Sequence, residues 1–233
     1  MKPHRPFWGL LQRRECVVPT LRGWALMLVT ATTLAVIVVG NLHSFLTVTA
    51  PAPGEVLVVE GWAPDYLFEE TVVEFKRHPY KKVYVTGGPL EQGSHLSEYK
   101  TYAELGATIL LRMGLDREAI QAVPSPPVRQ DRTHAAATTL KGWLRQHNAM
   151  PANLNVVSLG AHSRRSWLLF QKVFGGNTRV GIIAIEDRDY DPKHWYRTSL
   201  GVRLVTDEAL AYLYARFVFS SPEEPQTAPT GTR

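Results

Sequence analysis

One apolar stretch near the N-terminus is much longer than any other in the chain. Residues 23–54 form a run of 32 residues without Asp, Glu, Lys or Arg. About 20 apolar residues suffice to cross the hydrocarbon core of a bilayer as a helix. The pattern therefore predicts a membrane anchor over 23–48. A cleaved signal peptide ending near residue 50 stays open as an alternative, although its apolar part would be unusually long.

Five short apolar runs follow the anchor, with helix-like spacing of apolar residues between them. The runs lie at 55–60, 82–86, 120–123, 155–159 and 180–185. The main helical segments lie at 96–113, 162–174 and 205–219, with a further helix expected to be capped by Asp131. Continuous apolar strands that alternate with helices indicate βαβ units. The sequence therefore predicts a Rossmann-like three-layer αβα domain with a mostly parallel sheet of about five strands.

The charge pattern predicts how the chain is oriented in a membrane. Five Lys and Arg residues precede the apolar run, and the next one is Lys76. Basic residues favour the cytoplasmic side, so the N-terminus is expected inside and the α/β domain outside a bacterial inner membrane. The predicted parts are a cytoplasmic basic segment (1–22), the anchor (23–48), a linker (49–54), an extracytoplasmic domain (55–219) and a disordered tail (220–233).

Composition excludes several classes of function. The chain has 26 Lys and Arg against 21 Asp and Glu, but five of the basic residues lie in 1–23, so the rest is nearly neutral. A nucleic-acid groove would need that excess on the folded domain. Cys16 is the only cysteine, which leaves no intrachain disulfide and no cysteine metal cluster. The eight histidines show no paired metal-ligand spacing, and no metal site is predicted.

The candidate chemistry lies where the predicted strands end. Ligands of open α/β sheets bind beyond the carboxyl ends of the strands. Gly87 and Gly88 follow the second run, and His162, Arg164 and Arg165 begin the helix after the fourth. Cations at a helix N-terminus are unfavourable unless an anion joins them, so a phosphate or carboxylate ligand would explain them. A solvated first turn is the alternative.

Two further residues are candidates with ordinary structural alternatives. Glu98 could be a general base, or an acid that complements the dipole of its own helix. Thr133 could donate its hydroxyl to a ligand, or cap a helix beside Asp131. The alternating acids Asp187, Asp189 and Asp191 could hold a divalent cation, but a solvated acidic turn is the commoner arrangement. The usual dinucleotide, P-loop, hydrolase and zincin motifs are absent from the sequence.

These landmarks, in this order, resemble the DUF218 family, the ElyC/SanA/YdcF-like proteins of bacteria. The matching pieces are 56–61, 85–88, Glu98, Ser125 with Thr133, and 158–165, where the family has a strand followed by His-x-x-Arg. One departure is that Ala136 stands where the family's helix opening usually has Asn. A polar contact expected at that position is therefore missing.

The resemblance implies a Rossmann-like fold and a role in the bacterial cell envelope, because anchored members are linked with peptidoglycan and lipid-carrier metabolism. The outer domain is then expected to bind, and to process if it is an enzyme, a phosphorylated or lipid-linked cell-wall intermediate. In this interpretation Gly87, Gly88, Thr133, His162 and Arg165 bind the ligand, and Glu98 and His162 are the candidate catalytic residues. The alternatives are a non-catalytic envelope adaptor and a domain that binds S-adenosylmethionine. Neither a cofactor nor a protein partner is predicted from the sequence.

Overall fold

The computed structural model describes residues 17–220, so most of the predicted basic segment and tail lies outside the described residues. Helix α1 spans Leu21–Leu46. It is the one helix in the described part of the chain that is long and apolar enough to cross a membrane, with a mean hydropathy of 2.1 over its most apolar window. The described residues up to 40 form one compact unit, and those from 41 onward form another. The helix is thus compatible with a single-pass membrane anchor.

The second unit contains a parallel sheet of five strands, as the sequence predicts. The strands are β1 (Val56–Glu60), β2 (Lys82–Gly87), β3 (Ile120–Pro124), β4 (Asn153–Leu159) and β5 (Arg179–Ile185). Their order across the sheet is β3-β2-β1-β4-β5, and every pair is parallel. Strands β2 and β3 are therefore added on one side of β1, and β4 and β5 on the other. This reversal creates a topological switch point between β1 and β4.

Helices cover both faces of the sheet. They are α2 (Asp65–Arg77), α3 (Tyr102–Arg112), α4 (Arg132–Gln146), α5 (Ser163–Phe174) and α6 (Ser199–Phe217). Successive residues of a strand face opposite sides, so Leu57 packs with α2 and α3 whereas Val58 packs with α4 and α5. Both residues are fully buried. The predicted three-layer αβα architecture is confirmed.

Two predicted helix boundaries are wrong, in each case because a threonine cap fixes the true start. Helix α3 begins at Tyr102 rather than near residue 96, since Thr101 and Glu104 form a capping box. Helix α6 begins at Ser199 rather than 205, since the Thr198 hydroxyl accepts from the amide of Gly201. Asp131 stands at the N-cap position of α4, but its side chain makes no capping hydrogen bond.

The segment predicted as a linker is packed against the domain. Ala50 forms an antiparallel bridge with Ile182 of β5. The amide of Ala52 donates to Oδ1 of buried Asn155 at 2.7 Å, and the amide of Val48 donates to the hydroxyl of Ser163 at 2.9 Å. Residues 48–52 are thus held along β5 and the start of α5, which fixes the place where the chain enters the domain.

Candidate functional site

A cavity of about 850 Å³ lies at the carboxyl ends of four strands. Its wall includes Glu60 at the end of β1, Gly88 after β2, Ser125 after β3 and His162 after β4, and Glu208 of α6 closes one side. The cavity therefore sits at the switch point, where open α/β sheets bind their ligands. Among the described residues, four carboxylates and four basic side chains line it: Glu60, Glu91, Arg129, Asp131, Arg132, His162, Arg165 and Glu208.

Glu60 is a buried carboxylate at the floor of the cavity, with only 3% of its surface exposed. Its Oε2 accepts hydrogen bonds from the hydroxyls of Ser158 at 2.7 Å and Ser166 at 3.0 Å. Its Oε1 lies 3.3 Å from Nε2 of His162. Burial raises the pKa of Glu60, but the charge of His162 and these hydrogen bonds outweigh burial and hold the pKa below its usual value.

His162 is held between two carboxylates. Nε2 faces Glu60, and Nδ1 lies 2.9 Å from Oε1 of Glu208. Burial alone would lower the pKa of the imidazole, yet attraction to Glu60 and Glu208 prevails and raises it to about 9. The indole of Trp62 packs edge to face against the imidazole, with ring centroids 5.1 Å apart. His162 is therefore an imidazolium at neutral pH, on the wall of the cavity.

Arg165 shares Glu208 with His162. Its Nε donates to Oε2 of Glu208 at 2.8 Å, and its Nη2 donates to Oε1 at 3.0 Å, a bidentate pair. Burial raises the pKa of Glu208, but the two cations outweigh burial and hold that pKa far below its usual value. Both cations that the sequence assigned to an anionic ligand thus have carboxylate partners within the protein.

The contacts of Nδ1 of His162 allow two protonation states. When Nδ1 carries a proton, it donates to Glu208. When it does not, Nη2 of Arg165, at 2.8 Å, can donate to the free lone pair. Each state keeps a hydrogen bond at this atom, so His162 can lose and regain a proton without leaving a buried polar atom unpaired. General acid–base catalysis by His162 needs in addition that a ligand replaces one of these contacts, since both ring nitrogens face carboxylates of the protein.

The structure brings together four of the six residues predicted to form the site. Gly88, Thr133, His162 and Arg165 all line the cavity. Gly87 and Glu98 are not among the lining residues. A Cβ on Gly87 would lie 2.7 Å from the Cβ of Tyr102, so this glycine allows α3 to pack closely against β2. Glu98 is exposed in the loop before α3, and it does not begin a helix as the sequence predicted.

The predicted acidic turn has its own structural partners. Oδ1 of Asp187 accepts from the hydroxyl of Tyr66 and from the amide of Asp189. Asp191 accepts from the amide of Lys193 and contacts His194. Among residues 17–220 no group of three or more His, Cys, Asp and Glu side chains is arranged to hold a metal ion. Arg164, the third cation of the predicted cluster, lies over the ring of Phe45.

Sequence reasoning missed the two acids that organise the site. Glu60 ends an apolar strand at the switch point, and a carboxylate that closes a buried run was a usable signal. Glu208 gave no such signal, because a single acid on a helix is normally exposed to solvent. Only the packing of α6 beside α5 places it against His162 and Arg165.

Comparison of the chain with models of known protein families gives no match, and comparison with curated protein sequences gives none either.

Proposed function

We propose that this protein is a membrane-anchored bacterial envelope protein of the DUF218 type, whose α/β domain binds a phosphorylated or lipid-linked cell-wall intermediate in the switch-point cavity. The observation that carries the proposal is the buried His162, held between Glu60 and Glu208 on the wall of that cavity. Buried ionisable groups with shifted pKa values cluster at functional sites. The apolar helix α1 and the resemblance in sequence motifs support the membrane and envelope parts of the proposal.

The chemistry we propose for the site is transfer of the Nδ1 proton of His162 to a basic oxygen of the ligand, which takes the place of Glu208 as the acceptor, after which Arg165 donates to the deprotonated Nδ1. Ser158 and Ser166 both direct their hydroxyl hydrogens at Glu60, so neither forms the Ser–His pair that nucleophilic catalysis would need. Glu60 orients the ring through Nε2. Glu208 accepts from Nδ1 when that nitrogen is protonated, and Arg165 donates to it when it is not. In this scheme Glu60 and Glu208 take the supporting role, and Glu98 has none.

A second function, that of a non-catalytic adaptor, is favoured by one surface of α6. Leu210, Leu213 and Phe217 lie three to four residues apart and expose 66%, 49% and 76% of their surface. An exposed apolar stripe on a helix is a common protein-contact surface. The adaptor function predicts that this stripe, and not the cavity, is essential.

Complementation in cells separates the two functions. In a strain that lacks the protein and shows an envelope defect, His162→Gln removes the proton-transfer group. His78→Gln, which changes an exposed histidine at the end of α2, is the matched control. The cavity function predicts that His162→Gln fails to restore the envelope and that His78→Gln succeeds. If His162→Gln restores it while Leu213→Asp with Phe217→Asp does not, the adaptor function replaces the proposal.

A further inference from the structure

We infer that the cavity contains a phosphate subsite at the N-terminal end of α4, formed by the hydroxyls of Ser125 and Thr133 and by Arg129. This inference rests on the proposed function and places the anionic group of the ligand within the cavity. The subsite differs from the position predicted from the sequence, where His162 and Arg165 bind the anion, because the charges of those two residues are already matched by Glu60 and Glu208.

The start of α4 opens into the cavity without a cap. Asp131, Arg132 and Thr133 all line the cavity. Asp131 occupies the N-cap position in the left-handed conformation, with φ 53° and ψ 39°, and its side chain makes no capping bond. The first turn of α4 also contains no acidic side chain. The amides of a first helical turn have no partner within the helix, and the dipole there favours negative charge.

Two hydroxyls on nearly buried side chains give an independent indication of a ligand. Thr133 exposes 6% of its surface and Ser125 exposes 7%, and both line the cavity. Neither side chain forms a hydrogen bond with any residue in the described part of the chain. No side-chain oxygen among the described residues is both buried and without a partner, so the two hydroxyl oxygens themselves are open to the cavity, where they can donate to a bound molecule. Gly88 leaves space beside them, because even a Cβ there would lie 3.7 Å from Oγ of Ser125.

The donors around this helix end favour an anion with several acceptor atoms. Arg132 is paired with Glu91, whereas Arg129 lines the cavity with no ion pair among residues 17–220. Asp131, exposed at the same helix end, carries one negative charge against the one positive charge of Arg129, so the preference for an anion comes from the hydrogen-bond donors. Two hydroxyls, a guanidinium and free amides are all donors, and a phosphoryl group offers three or more acceptor oxygens to them.

A binding experiment on the full chain in a neutral detergent tests the subsite. Two probes are titrated and followed by ³¹P NMR: inorganic phosphate, and dodecyl phosphate in the same micelles. We expect Thr133→Val and Ser125→Ala each to weaken binding about tenfold or more, because each removes a hydrogen bond to a charged group. Thr138→Val, an exposed threonine on the same helix, is the matched control and is expected to change nothing.

The two probes also identify the source of the phosphate. Binding of both with similar affinity supports a subsite that recognises the phosphate group alone, and binding of dodecyl phosphate only supports a subsite for a lipid-linked phosphate. If Arg165→Gln abolishes binding while Thr133→Val does not, the anion lies at α5, so the subsite is wrong and the proposed function stands. If neither probe binds the wild-type protein, the subsite is wrong, and the complementation experiment with His162→Gln decides the proposed function separately.

Discussion

Replacing Glu208 by Gln should lower the pKa of His162 while leaving the fold in place. Gln keeps the size of the side chain and its oxygen acceptor, but it removes the negative charge 2.9 Å from Nδ1. It also leaves the guanidinium of Arg165 next to that nitrogen without the charge that now compensates it. Both changes disfavour the imidazolium, so they act in the same direction.

The size of the change follows from the two carboxylates that hold the charge. The pKa of His162 rises from 6.5 to about 9. Since one pKa unit corresponds to about 1.36 kcal/mol, this rise represents about 3 kcal/mol in favour of the charged form. Glu60 and Glu208 both contribute through charge and through hydrogen bonds. We therefore expect Glu208→Gln to remove about one to two pKa units and Glu60 to supply the remainder.

NMR of the full chain labelled with ¹³C at histidine Cε1 measures this pKa directly. The His162 signal is assigned as the one that disappears in His162→Gln. Glu118→Gln, which neutralises an exposed carboxylate before β3, serves as the control and should leave the signal unchanged. A His162 pKa that is the same in Glu208→Gln as in the wild type would refute the account of the site given above.

Three further predictions concern stability and topology. The free energy of unfolding, followed by denaturant titration across pH, should be largest between about pH 4.5 and pH 6.5. The raised pKa of His162 stabilises the fold below pH 6.5, and this contribution is lost as pH rises through about 9. The lowered pKa of Glu60 stabilises the fold above pH 4.5, and this contribution is lost as pH falls. Gly87→Ala should destabilise the domain by about 1–3 kcal/mol because its Cβ would overlap α3, whereas Gly142→Ala, with open space around it, should stabilise α4 by about 0.5–1 kcal/mol in the same titration. Alkaline phosphatase fused after Arg233 should be active and a cytoplasmic fluorescent reporter dark; the reverse pattern would place the domain inside.

The strands were predictable because strands that are covered on both faces appear in the sequence as continuous apolar runs. Val56–Glu60 and Arg179–Ile185 are apolar at nearly every position, and each strand buries four consecutive residues. Helix starts were less predictable, since they depend on one hydrogen-bonded cap. The segment around Leu96 carries apolar residues at a spacing that continues into α3, yet Leu96 is 95% exposed and the helix begins only after Thr101.

For the candidate site, the sequence could predict only which residues lie at the carboxyl ends of strands. His162 and Arg165 follow β4 directly, so the rule for strand ends was enough to bring them to the cavity. The carboxylate partner of His162 and Arg165 was not predictable, because Glu208 lies 43 residues beyond Arg165 and reaches it only through helix packing. Glu98 was predicted at the start of a helix, but that helix begins at Tyr102, so Glu98 lies in the preceding loop and is not among the residues that line the cavity.

The central claim, that the cavity binds a phosphorylated ligand, is tested most directly by native mass spectrometry of the full chain extracted in mild detergent. Ala211→Trp fills the cavity from α6, and Leu210→Trp places the same side chain on the exposed face one residue earlier. The account predicts a bound phosphorus-containing molecule on the wild type and on Leu210→Trp, and its loss from Ala211→Trp. The same adduct on all three proteins, or on none of them, would contradict it.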